Sequence, residues 1–111
     1  MAKAYSPVID RLFEAKNAAD ASAFAACFSD DAVVEDEALT HRGPTEIREW
    51  AAGNSKKYKL ITNVIGVDQR TEIAIVTAHV SGAFPGSPLT FQYDLRVIDD
   101  KVTNLKTSVV A

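Results

Sequence analysis

The chain contains a single cysteine, Cys27, which excludes an internal disulfide. Without a CxxC pair or a Cys/His cluster, a structural zinc site is excluded as well. Cys27 sits between Ala26 and Phe28 in an apolar pattern and reads as a buried small hydrophobe. Basic residues are neither abundant nor clustered: 12 Lys and Arg stand against 15 Asp and Glu, for a net charge of -3. The densest basic run, Lys56-Lys57-Tyr58-Lys59, falls where a helix is expected to end, and cations there complement the helix dipole. Nothing in this distribution suggests a nucleic-acid surface. No apolar run approaches the roughly 20 residues of a membrane span. The N-terminal MAKAYSPVIDRLFEA has no apolar core of the kind a secretion signal needs. The expectation is a protein with no membrane or nucleic-acid partner, located in the cytoplasm. Five glycines and four prolines are too few for a low-complexity tract or a linker.

What is present is an ordinary globular composition. Hydrophobic residues make up 47% of the 111 positions and charged residues 24%, enough for one core and too short a chain for two. A single domain over 1–111 is expected. The first half reads helical. Ser6-Pro7 places a proline at a first helical turn, and Ile9, Leu12, Phe13 and Lys16 follow at i, i+3, i+4 and i+7, with the lysine able to snorkel. After Asn17-Ala18-Ala19, Asp20 can cap a second helix carrying Phe24, Cys27 and Phe28. Ala32 to Asp36 suits a short strand, and 37–42 reads as a loop. Gly43-Pro44 opens a third helix with Ile47, Trp50 and Ala51 inside, weakened at Gly53-Asn54-Ser55.

The second half reads as strands: Lys59 to Val67, Glu72 to Phe84, Leu89 to Ile98 and Lys101 to Val110. Asp68-Gln69-Arg70 and Asp99-Asp100 are short turn signals that join neighbours as antiparallel hairpins. The order α-α-β-α-β-β-β-β predicts an α+β fold with three helices packed on one face of a curved antiparallel sheet. In the second of these strands Ile73, Ile75, Thr77 and His79 share one face, and Ala74, Val76, Ala78 and Val80 the other. In the third, Phe91, Tyr93, Leu95 and Val97 alternate with Thr90, Gln92, Asp94 and Arg96. Both faces of the 73–80 strand are apolar, so both are expected to be covered, one by helices and the other by a second copy of the chain.

The stretch DDAVVEDEALTHRG (30–43) carries the densest chemistry. Three acids, Glu35, Asp36 and Glu37, follow the apolar Ala32-Val33-Val34. Strand parity puts Asp36 on the same side as Val34 and Glu35 on the other; Glu35 and Glu37 read as solvated. His41 lies in the expected loop, a surface position that could also touch a ligand. His41, His79 and Asp36 lack the spacing of a known metal site, so no metal is expected.

NAAD (17–20), FSDDAVVED (28–36) and RGPTEIREW (42–50), followed by four strands, resemble the NTF2-like superfamily. The likeness is closest to its SnoaL-like and ketosteroid-isomerase-like members, and it covers nearly the whole chain. The resemblance implies a cone-shaped, cystatin-like fold around a pocket. It does not imply one activity, because this fold hosts isomerases, cyclases, dehydratases and binding modules. In ketosteroid isomerases the acid ending such a segment is the general base, which falls here on Asp36, with Trp50 as an aromatic pocket wall. Pocket-facing strand positions fall on Ile75, Thr77 and His79. Val34 shares the parity of Asp36, and Phe91 and Leu95 share that of Tyr93. The isomerase's oxyanion tyrosine falls on Leu12, which cannot donate, and its protonated aspartate on Tyr93, which can. Loss of one such donor costs on the order of 10²–10³ in rate, so steroid isomerisation by the familiar route is not expected.

Two functions follow. In the first, the protein acts on a small apolar carbonyl compound by proton abstraction, as an isomerase, cyclase or dehydratase does, without a cofactor. Asp36 would be the base, His79 an acid or relay and Tyr93 a donor, in a pocket walled by Leu12, Val34, Trp50, Ile75, Thr77, Phe91 and Leu95. In the second, the same fold is a ligand-binding or interaction module without catalysis. In either case a homodimer through the outer sheet face is expected.

Overall fold

A computed structural model describes residues 5–36 and 38–110; Glu37 lies outside them. Helices α1 (Pro7–Asn17) and α2 (Ala21–Ala26) come first, followed by the strands β1 (Phe28–Asp36) and β2 (Leu39–Arg42). Helix α3 (Gly43–Tyr58) precedes β3 (Ile61–Arg70), β4 (Ile73–Ser81), β5 (Leu89–Ile98) and β6 (Lys101–Val109). The strands form one sheet in the order β2-β1-β6-β5-β4-β3. All neighbours are antiparallel except β1 and β6, which run parallel. The α+β architecture with three helices against a curved sheet is as expected.

The local departures have local causes. The expected loop after Asp36 contains β2, which turns back at Ala38 (φ 66°) and pairs Leu39 with Asp36 and His41 with Val34. It covers a β1 edge that would otherwise expose unpaired backbone groups. Helix α3 runs through Gly53 to Tyr58. It ends only where Lys59 adopts a left-handed conformation (φ 50°) and its N–H reaches the Ser55 carbonyl at 3.0 Å. One glycine costs a helix interior only about 1 kcal/mol relative to alanine. Phe28 begins β1 rather than extending α2. The β3–β4 turn lies at Thr71-Glu72, beyond Asp68-Gln69-Arg70, with Arg70 paired to Ile73.

Long-range polar ties seat α1 against the sheet. Asp100, in the β5–β6 turn, accepts the Val8 N–H at 2.9 Å and pairs with Arg11 at 2.7 Å. Gln69 exchanges two bonds with Ser6, accepting from its backbone N–H at 2.7 Å and donating to its hydroxyl at 3.0 Å. The first turn of α1 is thereby satisfied by side chains remote in sequence rather than by Ser6 itself, whose side chain makes no cap. Asp20 does cap α2, accepting from the Ala23 N–H at 3.0 Å.

The core lies between the helices and the inner sheet face. Val8, Ile9 and Leu12 of α1 and Ile47 of α3 meet Ala74, Val76 and Ala78 of β4, Leu95 of β5, Val102 and Leu105 of β6, and Val34 of β1. Cys27 is buried among them. Among the described residues no helix is long and apolar enough to cross a membrane.

The segment after β4 is pinned to the end of α3. The Ala83 N–H donates to the Tyr58 carbonyl at 2.7 Å. A Cβ on Gly82 would lie 2.6 Å from that same oxygen and 3.3 Å from the Lys59 carbonyl. Backbone cannot yield there as a flexible side chain would. Gly82→Ala is expected to lower stability by about 1–3 kcal/mol, read as a reduced urea midpoint with an unchanged m-value.

Candidate functional site

Where the helices splay from the sheet, a cavity of about 270 Å³ opens between α1, α2, α3 and the inner faces of β4, β5 and β6. Its walls are mostly apolar: Phe24, Trp50, Val80, Phe84, Leu89 and Phe91. Three polar groups with distinct chemistry reach the same space, namely Asp36, Lys16 and Tyr93.

Asp36 ends β1 on its inward side. Its Oδ1 accepts the Thr107 hydroxyl at 2.5 Å, and its Oδ2 accepts the Trp50 indole N–H at 3.1 Å. The carboxylate is therefore held between β6 and α3. Each carboxylate oxygen has a second lone pair, so acceptor capacity remains on the cavity side. Trp50 is itself fixed by neighbouring rings: Phe24 at 6.0 Å and His41 at 5.5 Å, the latter stacked. His41 belongs to β2 and covers the far side of the indole. Its buried Nε2 has no hydrogen-bond partner among the described residues.

Lys16 and Tyr93 meet across Thr62 of β3. The Lys16 ammonium donates to Thr62 Oγ1 at 2.5 Å. Asn17 clamps the Thr62 backbone from both sides, accepting its N–H at 2.7 Å and donating to its carbonyl at 2.8 Å. Burial pushes the Lys16 amine down to about 8, partly opposed by the Asp36 charge. Burial pushes the Tyr93 phenol well above its usual range; a hydrogen bond with Thr62 opposes this and the Asp36 charge adds to it. Tyr93 therefore stays protonated near neutrality and can donate. Its ring is wedged edge-on against Phe13 at 5.1 Å and stacked with Phe91 at 6.2 Å.

Of the residues anticipated at the site, Asp36, Trp50, Phe91 and Tyr93 line this cavity. Ile75, Thr77 and His79 do not, and their expected inward parity is corrected. Directly paired strand residues share a face, and β4 pairs Ile75 with Asp94, Thr77 with Gln92 and His79 with Thr90. Ala74, Val76 and Ala78 pair instead with Leu95, Tyr93 and Phe91. The small residues thus face inward, and the isoleucines face out. His79 is exposed and its Nδ1 lies 3.0 Å from Thr90 Oγ1, on the side of the sheet away from Asp36. Leu12, Val34 and Leu95 are fully buried in the core and do not line the cavity.

Lys16, Thr62 and Thr107 were not anticipated. Lys16 occupies the i+7 position of the α1 apolar stripe, a signal read as snorkelling; its amine instead turns inward to Thr62. Thr107 shares a strand face with Leu105 and Val109, so its parity was available from the strand pattern, but the partner it bonds lies 71 residues away.

The Lys16 amine makes a specific pH prediction. Its folded value, about 8, lies below the ordinary 10.5, so between these limits the unfolded chain binds more protons and stability rises with pH. Below about 8 the full penalty is present. Lys16→Met is expected to raise stability at pH 7 by up to about 3 kcal/mol and to flatten the rise between pH 8 and 10.5. Urea melts at pH 7 and pH 9.5 read both effects.

The comparisons with known proteins agree with this architecture. Among proteins with curated descriptions none matches the chain. A structure from Sinorhizobium meliloti, of a protein provisionally named a polyketide cyclase, is similar at 31% identity. It superposes with a TM-score of 0.89 over 94% of this chain and 95% of that one. A ketosteroid isomerase-like fold from Catenulispora acidiphila, in complex with trimethylamine, superposes with a TM-score of 0.84 at 17% identity, covering 94% and 86% of the two chains. An NTF2-like protein from Cytophaga hutchinsonii gives 0.77 at 10% identity, over 93% and 87%. The SnoaL-like domain family matches residues 9–103. With that match over most of its length and a pocket at the open end of the helix-and-sheet cone, the chain belongs to the SnoaL-like family of the NTF2-like fold.

Proposed function

We propose that the cavity takes up a small, largely apolar carbonyl compound and that Asp36 removes a proton from the carbon beside the carbonyl. One observation carries this reading: a carboxylate and two hydrogen-bond donors, Lys16 and Tyr93, reach one cavity whose walls are otherwise mostly apolar. The Asp36 carboxylate takes the C–H proton, and the electron pair moves onto the carbonyl oxygen. Donors from Tyr93 and Lys16 stabilise that oxygen in a space where water screens them little. Return of the proton to a different carbon completes an isomerisation. Collapse of the enolate onto a second carbonyl closes a ring, and expulsion of a β-hydroxyl completes a dehydration. None of these steps requires a cofactor. The relative provisionally named a polyketide cyclase fits the same carbonyl chemistry. His79 has no part in it, since it lies across the sheet.

The test is solvent deuterium exchange at the α-carbons of cyclohex-2-enone and 2-decanone, followed by proton NMR. Wild type is expected to exceed the buffer rate, and Asp36→Asn to lose on the order of 10²-fold or more of that excess. Equal rates in the two proteins would remove Asp36 as the base. A second reading rests on the bonds from Thr107 and Trp50 to both Asp36 oxygens: the acid is then a tie between elements, and the cavity a binding site without turnover. Saturable ketone binding with exchange at the buffer rate selects that reading.

A homodimer through the outer sheet face belongs to the same proposal. Ile73 and Ile75 remain 50% and 39% exposed there, beside a shallow groove lined by Val33, Asp94, Arg96 and Lys106. Light scattering is expected to return twice the 12.0 kDa chain mass, and Ile75→Lys to return the single-chain mass; a monomeric wild type rules the dimer out. Cytoplasmic location is part of this reading, in keeping with the buried free thiol of Cys27.

A further inference from the structure

Lys16 has a placement that a simple hydrogen-bond donor does not need. Its stem leaves the buried stripe of α1, and its amine enters the cavity wall. Among the described residues it takes part in no ion pair and has one hydrogen-bond partner, the Thr62 hydroxyl. Asp36, the nearby carboxylate, spends bonds on Thr107 and Trp50 instead. The amine is thus not locked into a salt bridge, and it has a hydroxyl and a phenol beside it through which protons can pass. We propose that Lys16 condenses reversibly with an aldehyde or ketone held in the cavity, forming an imine. The proposal deepens the carbonyl reading above and rests on it for the fate of the bound compound.

The chemistry balances without an added reagent. The nitrogen lone pair of the neutral amine bonds to the carbonyl carbon, and the C=O π pair moves to oxygen. A proton passes from nitrogen to that oxygen, by way of Thr62 or Tyr93, to give the carbinolamine. The oxygen then leaves as water after taking a second proton, and the nitrogen lone pair forms C=N. One carbonyl compound and one amine become one protonated imine and one water, with one proton taken up. The protonated imine acidifies the neighbouring C–H more strongly than the parent carbonyl does. Asp36 takes that proton, and the electron pair moves to nitrogen, leaving an enamine. Reprotonation and hydrolysis reverse the sequence. Burial supports the first step, because an amine lowered to about 8 is neutral in about one molecule in ten at pH 7, far more often than an ordinary lysine.

The test is reductive trapping. Wild type is incubated with benzaldehyde, treated with sodium borohydride and analysed by intact mass and peptide mapping, with 2-decanone as competitor. The expected product carries one benzyl group on Lys16, at about tenfold the occupancy of any exposed lysine. The exposed references are Lys56, Lys57, Lys59, Lys101 and Lys106. Labelling of Lys16 is expected to rise through pH about 8 and to fall when 2-decanone is present. Lys16→Arg keeps the charge but cannot form the imine, and its spectrum should lose the cavity adduct alone. The wild-type peptide map decides the matter even where a variant fails to fold. Equal labelling of all lysines, or an unlabelled Lys16, overturns the proposal. The exchange assay separates it from the base assignment. If exchange persists in Lys16→Arg but is lost in Asp36→Asn, the base stands and the imine route is overturned. If Lys16 is trapped while Asp36→Asn exchanges like wild type, covalent capture stands and the base assignment fails.

Discussion

The Asp36 carboxylate is the fixed point around which the cavity is arranged. A carboxylate drawn partly out of water is costly unless donors replace its hydration. Thr107 from β6 and Trp50 from α3 supply them. These bonds do more than satisfy the charge. They join the end of β1 to the strand that runs parallel to it and to the helix that crosses above. The indole is held in turn between Phe24 of α2 and His41 of β2. Four separate elements are thus positioned by one acid.

The cavity lies beyond the packed part of the core. Ala74 and Ala78 on the inner face of β4 are fully buried there, while Ile73 and Ile75 are turned outward. Of β4, Val80 reaches the cavity, and the aromatic side chains Phe24, Phe84 and Phe91 form much of its wall. The strap after β4, with Gly82 against the Tyr58 carbonyl, holds the rim.

The polar groups are clustered. Asp36 is held by β6 and α3, and its partner Thr107 pairs across the strands with Tyr93. Lys16 and Tyr93 are joined through Thr62, whose backbone is clamped by Asn17. An acceptor and two donors thus border one mostly apolar space, an arrangement suited to moving a proton from carbon while charge develops on oxygen. The depressed Lys16 amine and the elevated Tyr93 phenol share one main cause, desolvation, which opposes the charged form of each.

Much of the fold was legible along the chain. Pro7 and Pro44 mark helix starts, Asp20 caps α2, and β-branched runs outline β4, β5 and β6 to within a few residues. These signals are local, carried by backbone preference and alternation. The motif FSDDAVVED carried both the family and the inward parity of Asp36. What alternation could not settle was which face of β4 is inside, because both faces carry apolar residues and the bulkier isoleucines, Ile73 and Ile75, point out. That choice is made by register, through pairing of Val76 with Tyr93 and Ile75 with Asp94. It moved Ile75, Thr77 and His79 off the site. Nor could the chain alone reveal Lys16–Thr62 or Thr107–Asp36, which join residues 46 and 71 positions apart. The sequence by itself determined the elements, the family and the acid at the end of β1, since each depends on neighbours a few residues away. The tertiary structure decided which polar groups share the cavity, since that depends on strand register and on which buried charges find donors.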